Sequence, residues 1–275
     1  MITYAKTFAK FGVPDSIPLE DQFFFRNNFA IVADGITRDS YGCLDLKKVS
    51  SETIFKNYPN PSPATKAAMT VCETFKKSQN ANDLKKLMCL ANSMLTNLNK
   101  NVKCDYLEND YAACVAAVAY INKNRLFYSY ICDCGVIVWD KKGNIRFQTT
   151  DDKSVYSDPY IAKALVSNPW HTPMGRVVTR SLYRNNPNHI INGKCVSYGA
   201  LTGEKEAEYF IKEGSILLNP GDTVAVYSDG FTPYFKLPDF FENLDNLDNF
   251  VKLIESQPNF GSEKTIVVMH FEGKW

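Results

Sequence analysis

The feature that most restricts the fold of this chain is the change of hydrophobic pattern at Tyr111. After Tyr111, short apolar runs alternate with turn-forming links such as 122–124 and 140–144, which is the pattern of β-strands. Strands joined by links this short run antiparallel to each other. The strands predicted in this part of the chain cover residues 112–121, 126–131, 135–139, 145–149, 197–201, 215–218, 223–227 and 265–271.

Three other segments have apolar residues at helical spacing, and they cover residues 63–75, 83–100 and 239–256. The first segment starts with Ser62 and Pro63, a side-chain cap followed by a proline in the first turn. Asn82 is the expected cap of the second segment. A β-hairpin over 22–25 and 29–33 precedes all three. Helices placed before and between groups of antiparallel strands predict an α+β fold, a four-layer α-β-β-α sandwich of two mainly antiparallel sheets flanked by helices.

Composition excludes several classes of protein. With 45% hydrophobic and 22% charged residues, the chain is an ordinary globular protein. The formal net charge of +1 argues against binding to nucleic acid or to an acidic membrane surface. Without a repeat or a low-complexity linker, residues 1–275 are expected to form a single domain. The sequence sets no oligomeric state.

The cysteines and the hydrophobic segments bear on location. The chain has 8 cysteines, without a C-x-x-C pair or zinc-type spacing, so free thiols of a reducing compartment are expected. The N-terminus lacks an uninterrupted apolar leader, and the most apolar stretch is about half the ~20 residues that span a bilayer. We therefore expect a cytoplasmic protein.

Three carboxylates stand at the ends of predicted strands: Asp34, Asp133 and Asp229. Two of them are followed by a glycine, Gly35 or Gly230, which lets the backbone turn sharply and approach a ligand closely. Carboxylate and carbonyl oxygens are the ligands of hard cations such as Mg²⁺ and Mn²⁺. The alternative interpretation is that each Asp-Gly pair forms only a turn.

Several segments together, in order and over most of the chain, resemble the motifs of the metal-dependent serine/threonine phosphatases of type 2C. The similar segments are Leu19-Glu-Asp-Gln22, Val32-Ala-Asp-Gly35, Ile131-Cys-Asp-Cys-Gly135, Thr149-Thr-Asp-Asp152, Leu218-Asn-Pro-Gly-Asp222, Tyr227-Ser-Asp-Gly230 and Gly261-Ser-Glu-Lys-Thr265. The resemblance implies hydrolysis of phosphoserine and phosphothreonine in proteins, with Mg²⁺ or Mn²⁺ as cofactor and a phosphorylated protein as partner.

Carried over by position, the resemblance also implies roles for individual residues. Asp34 would bridge two metal ions, and the Gly35 carbonyl would bind one of them. Asp229 would ligate the other ion, and Asp133 would serve a third, accessory one. Glu20 would hold waters of the metal shell. Activation of a water by two metals is the implied chemistry, without a covalent enzyme intermediate.

The chain departs from the family pattern at three places, one of which is Ile36, where some members have a histidine that could act as general acid. Ser262 stands where the family usually has an aspartate, so Glu263 is the expected substitute ligand. The usual arginine before the Glu-Asp segment is absent, and Arg38 is the candidate replacement for binding the substrate phosphate, although it could be a solvated loop cation. These departures leave two alternatives: a pseudophosphatase that only binds, and a phosphatase of a small phosphorylated metabolite.

A series of arginines at positions 176, 180 and 184 recurs every four residues. On a helix this spacing places the three side chains on one face. They could form a basic stripe for a phosphoprotein, but the pattern favours an ordinary solvated helix face.

Overall fold

The computed structural model describes residues 3–8, 19–36, 59–78, 83–107, 109–151, 163, 173–237, 240–244, 247–257 and 263–273. Its strands, in chain order, are β1 Thr3–Phe8, β2 Gln22–Arg26, β3 Phe29–Gly35, β4 Cys114–Asn122, β5 Arg125–Ile131, β6 Gly135–Trp139, β7 Ile145–Gln148, β8 Ile190–Ile191, β9 Lys194–Cys195, β10 Lys212–Leu217, β11 Thr223–Tyr227 and β12 Lys264–His270. The α-helices are α1 Pro63–Lys77, α2 Leu84–Asn99, α3 Pro173–Val178, α4 Phe240–Asn243 and α5 Leu247–Glu255.

Two five-stranded antiparallel sheets pack face to face. Sheet A has the order β1-β12-β11-β6-β7, and sheet B has the order β10-β5-β4-β3-β2. Helices α1 and α2 cover the outer face of sheet B. The outer face of sheet A is covered by a 3₁₀ helix, Asp229–Lys236, together with α4 and α5. The predicted four-layer α-β-β-α sandwich is therefore confirmed.

The alternation of side chains along β3 decides which residues face the space between the sheets. The Phe29 ring lies 5.9 Å from the ring of Phe75 on α1, so this side of β3 faces the helix. Because strand side chains alternate, Ala30, Val32 and Asp34 lie on the opposite side, toward sheet A. Asp34 thus ends a row of core residues at the edge of the layer between the sheets.

Several local predictions need correction. Asp83, not Asn82, caps α2, because its side chain accepts a hydrogen bond from the Lys86 N–H at 2.9 Å. Of the helix predicted over 239–256, the described residues form α4 and α5. The strand predicted over 197–201 is absent from this described segment, which makes only two isolated bridges, at Tyr198 and Leu201.

The arginine series is not a solvated face. Arg184 is buried and forms two hydrogen bonds to Asp110, at 2.9 and 2.7 Å. Arg180 is also buried, with its Nε 3.3 Å from the same carboxylate. The prediction of a solvated helix face was therefore wrong for these two residues. Their four-residue spacing serves an internal ion-pair network that joins the π-helical turn Thr179–Tyr183, which follows α3, to the chain before β4.

Two further observations concern the cysteines and the membrane. Seven cysteines lie in the described residues, and they are free thiols: Cys72, Cys89, Cys104, Cys114, Cys132, Cys134 and Cys195. In the described ranges, the helices fall short of the length and apolar character that crossing a membrane requires.

Candidate functional site

The end of β3 is packed too tightly for any residue but glycine after Asp34. A Cβ atom added at Gly35 would lie 2.8 Å from the carbonyl oxygen of Glu20 and 2.9 Å from the carbonyl carbon of Ala64. Such distances are far below normal van der Waals contact. Gly35 therefore brings Asp34 next to the Glu20 segment and the first turn of α1.

A second Asp-Gly pair, Asp229 and Gly230, follows β11 with a similar constraint. A Cβ atom at Gly230 would lie 2.3 Å from the carbonyl oxygen of Glu263. The Ser228 N–H donates to the Thr265 carbonyl at 3.0 Å, and the Thr265 N–H donates to the Ser228 hydroxyl at 2.9 Å. The end of β11 and the start of β12 are thus held side by side, with Asp229 and Glu263 at adjacent positions.

The segment before β2 joins both regions. Glu20 is 1% exposed, and its Oε1 accepts a 2.6 Å hydrogen bond from the Ser62 hydroxyl that caps α1. The Asp21 N–H donates to Glu263 Oε1 at 2.8 Å. The Asp21 carboxylate accepts from the Ser228 hydroxyl at 2.7 Å. The two neighbouring acids are therefore fixed in different directions, Glu20 toward α1 and Asp21 toward sheet A.

Five carboxylates form what we call the acidic cluster: Asp21, Asp34, Asp133, Asp229 and Glu263. Burial raises the pKa of Asp34 well above its usual value, and the charges of the other four members raise it further. Burial and the charge of Glu263 raise the pKa of Asp21 to about 7, against hydrogen bonds that lower it. The cluster thus concentrates negative charge contributed by five separate segments of the chain.

The acidic cluster brings together four residues that the sequence singled out, and it adds Asp21. Glu20 lies beside the cluster with its side chain on Ser62. Arg38 and Ser262 lie outside the described residues. The roles assigned to all of these residues stay predictions.

The donor chemistry of the cluster suits a hard divalent cation. Within the described ranges, no three Asp, Glu, His or Cys side chains are gathered closely enough to hold an ion by themselves. Mg²⁺ is commonly held by one or two carboxylates, with waters completing its octahedral shell. The carboxylates of the acidic cluster therefore suit ions that bind one or two of them and take water molecules as their other ligands.

Sequence reasoning missed two residues here. Asp21 could have been found, because it directly follows Glu20 in the same motif. Lys264 gave a weaker signal, a charged residue opening an apolar strand. It is fully buried, with its Nζ 5.2 Å from the centre of the Tyr234 ring. Burial lowers the pKa of Lys264 to about 8, although the charges of Asp21 and Asp229 act to raise it.

The raised pKa values predict an unusual pH dependence for the metal-free protein. Because Asp21 and Asp34 hold protons more tightly when folded, their contribution to stability is fully present below their unfolded pKa of about 3.9 and is lost as the pH rises through their folded pKa. Thermal unfolding in the presence of a chelator should give a Tm that falls between about pH 4.5 and pH 7.5. Asp34→Asn should flatten this slope. An equally steep fall in that variant would contradict the assignment.

No protein-family model and no curated protein sequence matches the chain. Solved structures match it over nearly its whole length. The serine/threonine phosphatase PstP/Ppp of Mycobacterium tuberculosis aligns with a TM-score of 0.60 over 98% of both chains, at 17% identity. The PstP catalytic domain in complex with 2 manganese ions aligns with a TM-score of 0.59, also over 98% of both chains, at 16% identity.

A third similar structure carries the family name. The PPM Ser-Thr phosphatase MsPP from Mycobacterium smegmatis, in complex with cacodylate, aligns with a TM-score of 0.55 over 99% of both chains, at 17% identity. At these identities the likeness establishes the fold. The resemblance to the type 2C phosphatases is therefore confirmed as a common fold.

Proposed function

We propose that this chain is a Mg²⁺- or Mn²⁺-dependent phosphatase acting on phosphoserine and phosphothreonine in proteins, and that residues 1–275 work as one domain. The acidic cluster is the observation that carries the proposal. The fold it shares with PstP, whose structure holds 2 manganese ions, supports the choice of cofactor.

The electrostatics of the acidic cluster favour metal binding over a purely structural role. Like charges held close together in a buried setting disfavour ionisation, which is why the pKa values of Asp21 and Asp34 rise. Such a cluster lowers the stability of the folded protein unless a cation binds there. A module that only binds another protein has no physical need for it.

The residues that would hold the cofactor follow from their positions. Asp34 would bridge two ions, with the Gly35 carbonyl beside it. Asp229 and Glu263, held adjacent at the ends of β11 and β12, would serve one ion, and Asp133 would serve an accessory one. When bound, the metals supply an activated water for attack on phosphorus and offset the charge that develops on the phosphoryl oxygens.

The protein's own part is to hold these oxygens in place. Ser62 fixes the Glu20 carboxylate at the start of α1, where it can orient waters of the metal shell. Ser228 fixes the Asp21 carboxylate, and the Asp21 N–H fixes that of Glu263. Arg38 is the proposed cation for the substrate phosphate, since a guanidinium offers two parallel hydrogen bonds to phosphate oxygens.

Glu263 should set the metal requirement, because it stands beside the missing aspartate of the family pattern. We expect Glu263→Ala to raise the Mn²⁺ concentration for half-maximal activity by about tenfold or more, as loss of a ligand would. Ser262→Asp should lower that concentration by adding an anionic oxygen. Titration of phosphatase activity with Mn²⁺ measures both effects.

Glu263→Gln is the matched control for this prediction. It keeps an oxygen that can accept the Asp21 N–H but removes the charge. If Glu263→Gln raises the Mn²⁺ concentration for half-maximal activity as much as Glu263→Ala does, the charge of Glu263 matters. If the Mn²⁺ concentration for half-maximal activity is unchanged in all three variants, Glu263 is not a metal ligand.

The substrate class separates the proposal from its two alternatives. Release of phosphate from a phosphothreonine peptide should exceed release from small phosphorylated sugars and nucleotides at equal concentration. The reverse order would favour a metabolite phosphatase. Binding of the phosphopeptide without any metal-stimulated release would favour the pseudophosphatase.

A further inference from the structure

Lys264 is a buried cation that the proposed catalytic roles do not use. It is the first residue of β12 and has no exposed surface. Ile266 and Val268 lie in the outer core of sheet A, and by strand alternation Lys264 shares their side. Its Nζ lies over the ring of Tyr234, in the 3₁₀ helix that starts at Asp229.

The backbone places Lys264 directly against the acidic cluster. It follows Glu263 in the chain, and a Cβ atom at Gly230 would lie only 2.7 Å from the Lys264 Cβ. The carboxylates of Asp21 and Asp229 are near enough for their charges to favour its protonated form. Lys264 thus brings positive charge to the acidic cluster from the side of sheet A.

Burial of this ammonium is costly, and an apolar side chain would avoid the cost. Lysine is almost never fully buried unless it is paired. The next two side chains on this strand face, Ile266 and Val268, are apolar core residues, so a methionine of similar length would suit the position. The ring of Tyr234 and the negative charge of the acidic cluster both favour the ammonium, and the ring contact is worth more when water is excluded.

We infer that Lys264 is a built-in counter-ion of the acidic cluster: it offsets part of the negative charge in the metal-free protein and weakens the binding of divalent ions. The second half of this inference rests on the proposed function, because it requires that the cluster bind metal. The first half concerns the metal-free protein alone. Lys264 is in this view a positioning and charge-balancing residue, not a catalytic one.

Mn²⁺ affinity tests whether Lys264 weakens the binding of divalent ions. Calorimetric titration at one fixed pH should show that Lys264→Met binds Mn²⁺ about tenfold or more tightly than the wild type, because a unit charge repelling a divalent ion at short range is removed. Lys212→Met is the matched control. Its Nζ lies 5.7 Å from the Tyr130 ring on sheet B, so this change also removes a lysine–tyrosine contact, and Mn²⁺ affinity should stay within about twofold.

A double-mutant cycle tests, without metal, whether Lys264 offsets the negative charge of the acidic cluster. Lys264→Met and Asp229→Asn, alone and combined, are compared by unfolding in the presence of a chelator. The cycle cancels the desolvation cost of each residue and isolates their interaction. A favourable coupling between Lys264 and Asp229 is expected. Should Lys264→Met fail to fold, Lys264→Gln serves in both experiments.

The two experiments keep the inference and the proposed function apart. Equal Mn²⁺ affinity in the wild type and Lys264→Met would contradict the claim that Lys264 weakens metal binding. Absence of coupling in the cycle would contradict the claim that Lys264 offsets the charge of the acidic cluster. If the wild type binds no Mn²⁺ but the cycle shows coupling, the proposed metal-dependent function fails and the counter-ion stands.

Discussion

Asp34→Asn is expected to reduce phosphatase turnover at least about a thousandfold, or about 4 kcal/mol in the activation barrier. The proposed role explains the size of the effect, because one carboxylate bridging two ions would hold both. The same change should raise the Tm of the metal-free protein. It removes a half-buried charge that the other four members of the acidic cluster repel.

Initial rates at saturating Mn²⁺ and unfolding in the presence of a chelator measure the two effects of Asp34→Asn. Asp140→Asn is the control, since Asp140 bonds within its own turn, to Lys142 and Asn144. Asp140→Asn should leave turnover unchanged and should not raise the Tm, because hydrogen bonds to Asp140 favour its charged form and lower its pKa. Activity of Asp34→Asn within about threefold of the wild type, well under 1 kcal/mol, would exclude a bridging role.

Asp110→Asn should destabilise the protein by about 3–5 kcal/mol, because it leaves the buried guanidinium groups of Arg180 and Arg184 without their carboxylate. Equilibrium unfolding in denaturant measures this loss. The structural reason is the pair of hydrogen bonds from Arg184, at 2.9 and 2.7 Å. A loss below about 1 kcal/mol would mean that the ion pair contributes no more than an exposed one.

The pH dependence of this network has the opposite sign to that of the acidic cluster. Burial would raise the pKa of Asp110, but the hydrogen bonds and charge of Arg184, with the charge of Arg180, lower it. The stabilisation is therefore present above the unfolded pKa of about 3.9 and is lost as the pH falls through the lower folded value. Asp110→Asn should be less sensitive to acid in that range than the wild type.

Sequence reasoning located the parts of the fold that depend on local pattern. The antiparallel strands around β4 to β6 follow from apolar runs with turn links, and the start of α1 follows from Ser62 and Pro63. It failed where contacts with distant parts of the chain determine whether a segment forms a strand. The two edge strands of sheet A, β1 and β7, show the contrast: β7 has a turn before it and was predicted, whereas β1 has polar residues and depends on pairing with β12.

The candidate site was predicted in the same uneven way. Asp34, Asp133 and Asp229 stand at the ends of predicted strands, so local pattern alone marked each of them as a candidate metal ligand. The placement of Asp21 depends on a hydrogen bond to Glu263, 242 positions away in the chain. The burial of Lys264 depends on the turn at Gly230, which lies against it. The spacing of apolar residues along the sequence cannot predict this contact. Spacing also misled the interpretation of Arg180 and Arg184, because it cannot show which face of a helix is covered.

Hydrolysis of an aryl phosphate by the purified protein, with Mn²⁺, with Mg²⁺ and with a chelator, tests the central claim most directly. Asp34→Asn purified in the same way shows whether a contaminating phosphatase contributes. The account predicts turnover with Mn²⁺ or Mg²⁺, loss of turnover with the chelator, and none above background in Asp34→Asn. Turnover that persists in the chelator, or that is equal in Asp34→Asn, would contradict it, as would the absence of metal-stimulated turnover in the wild type.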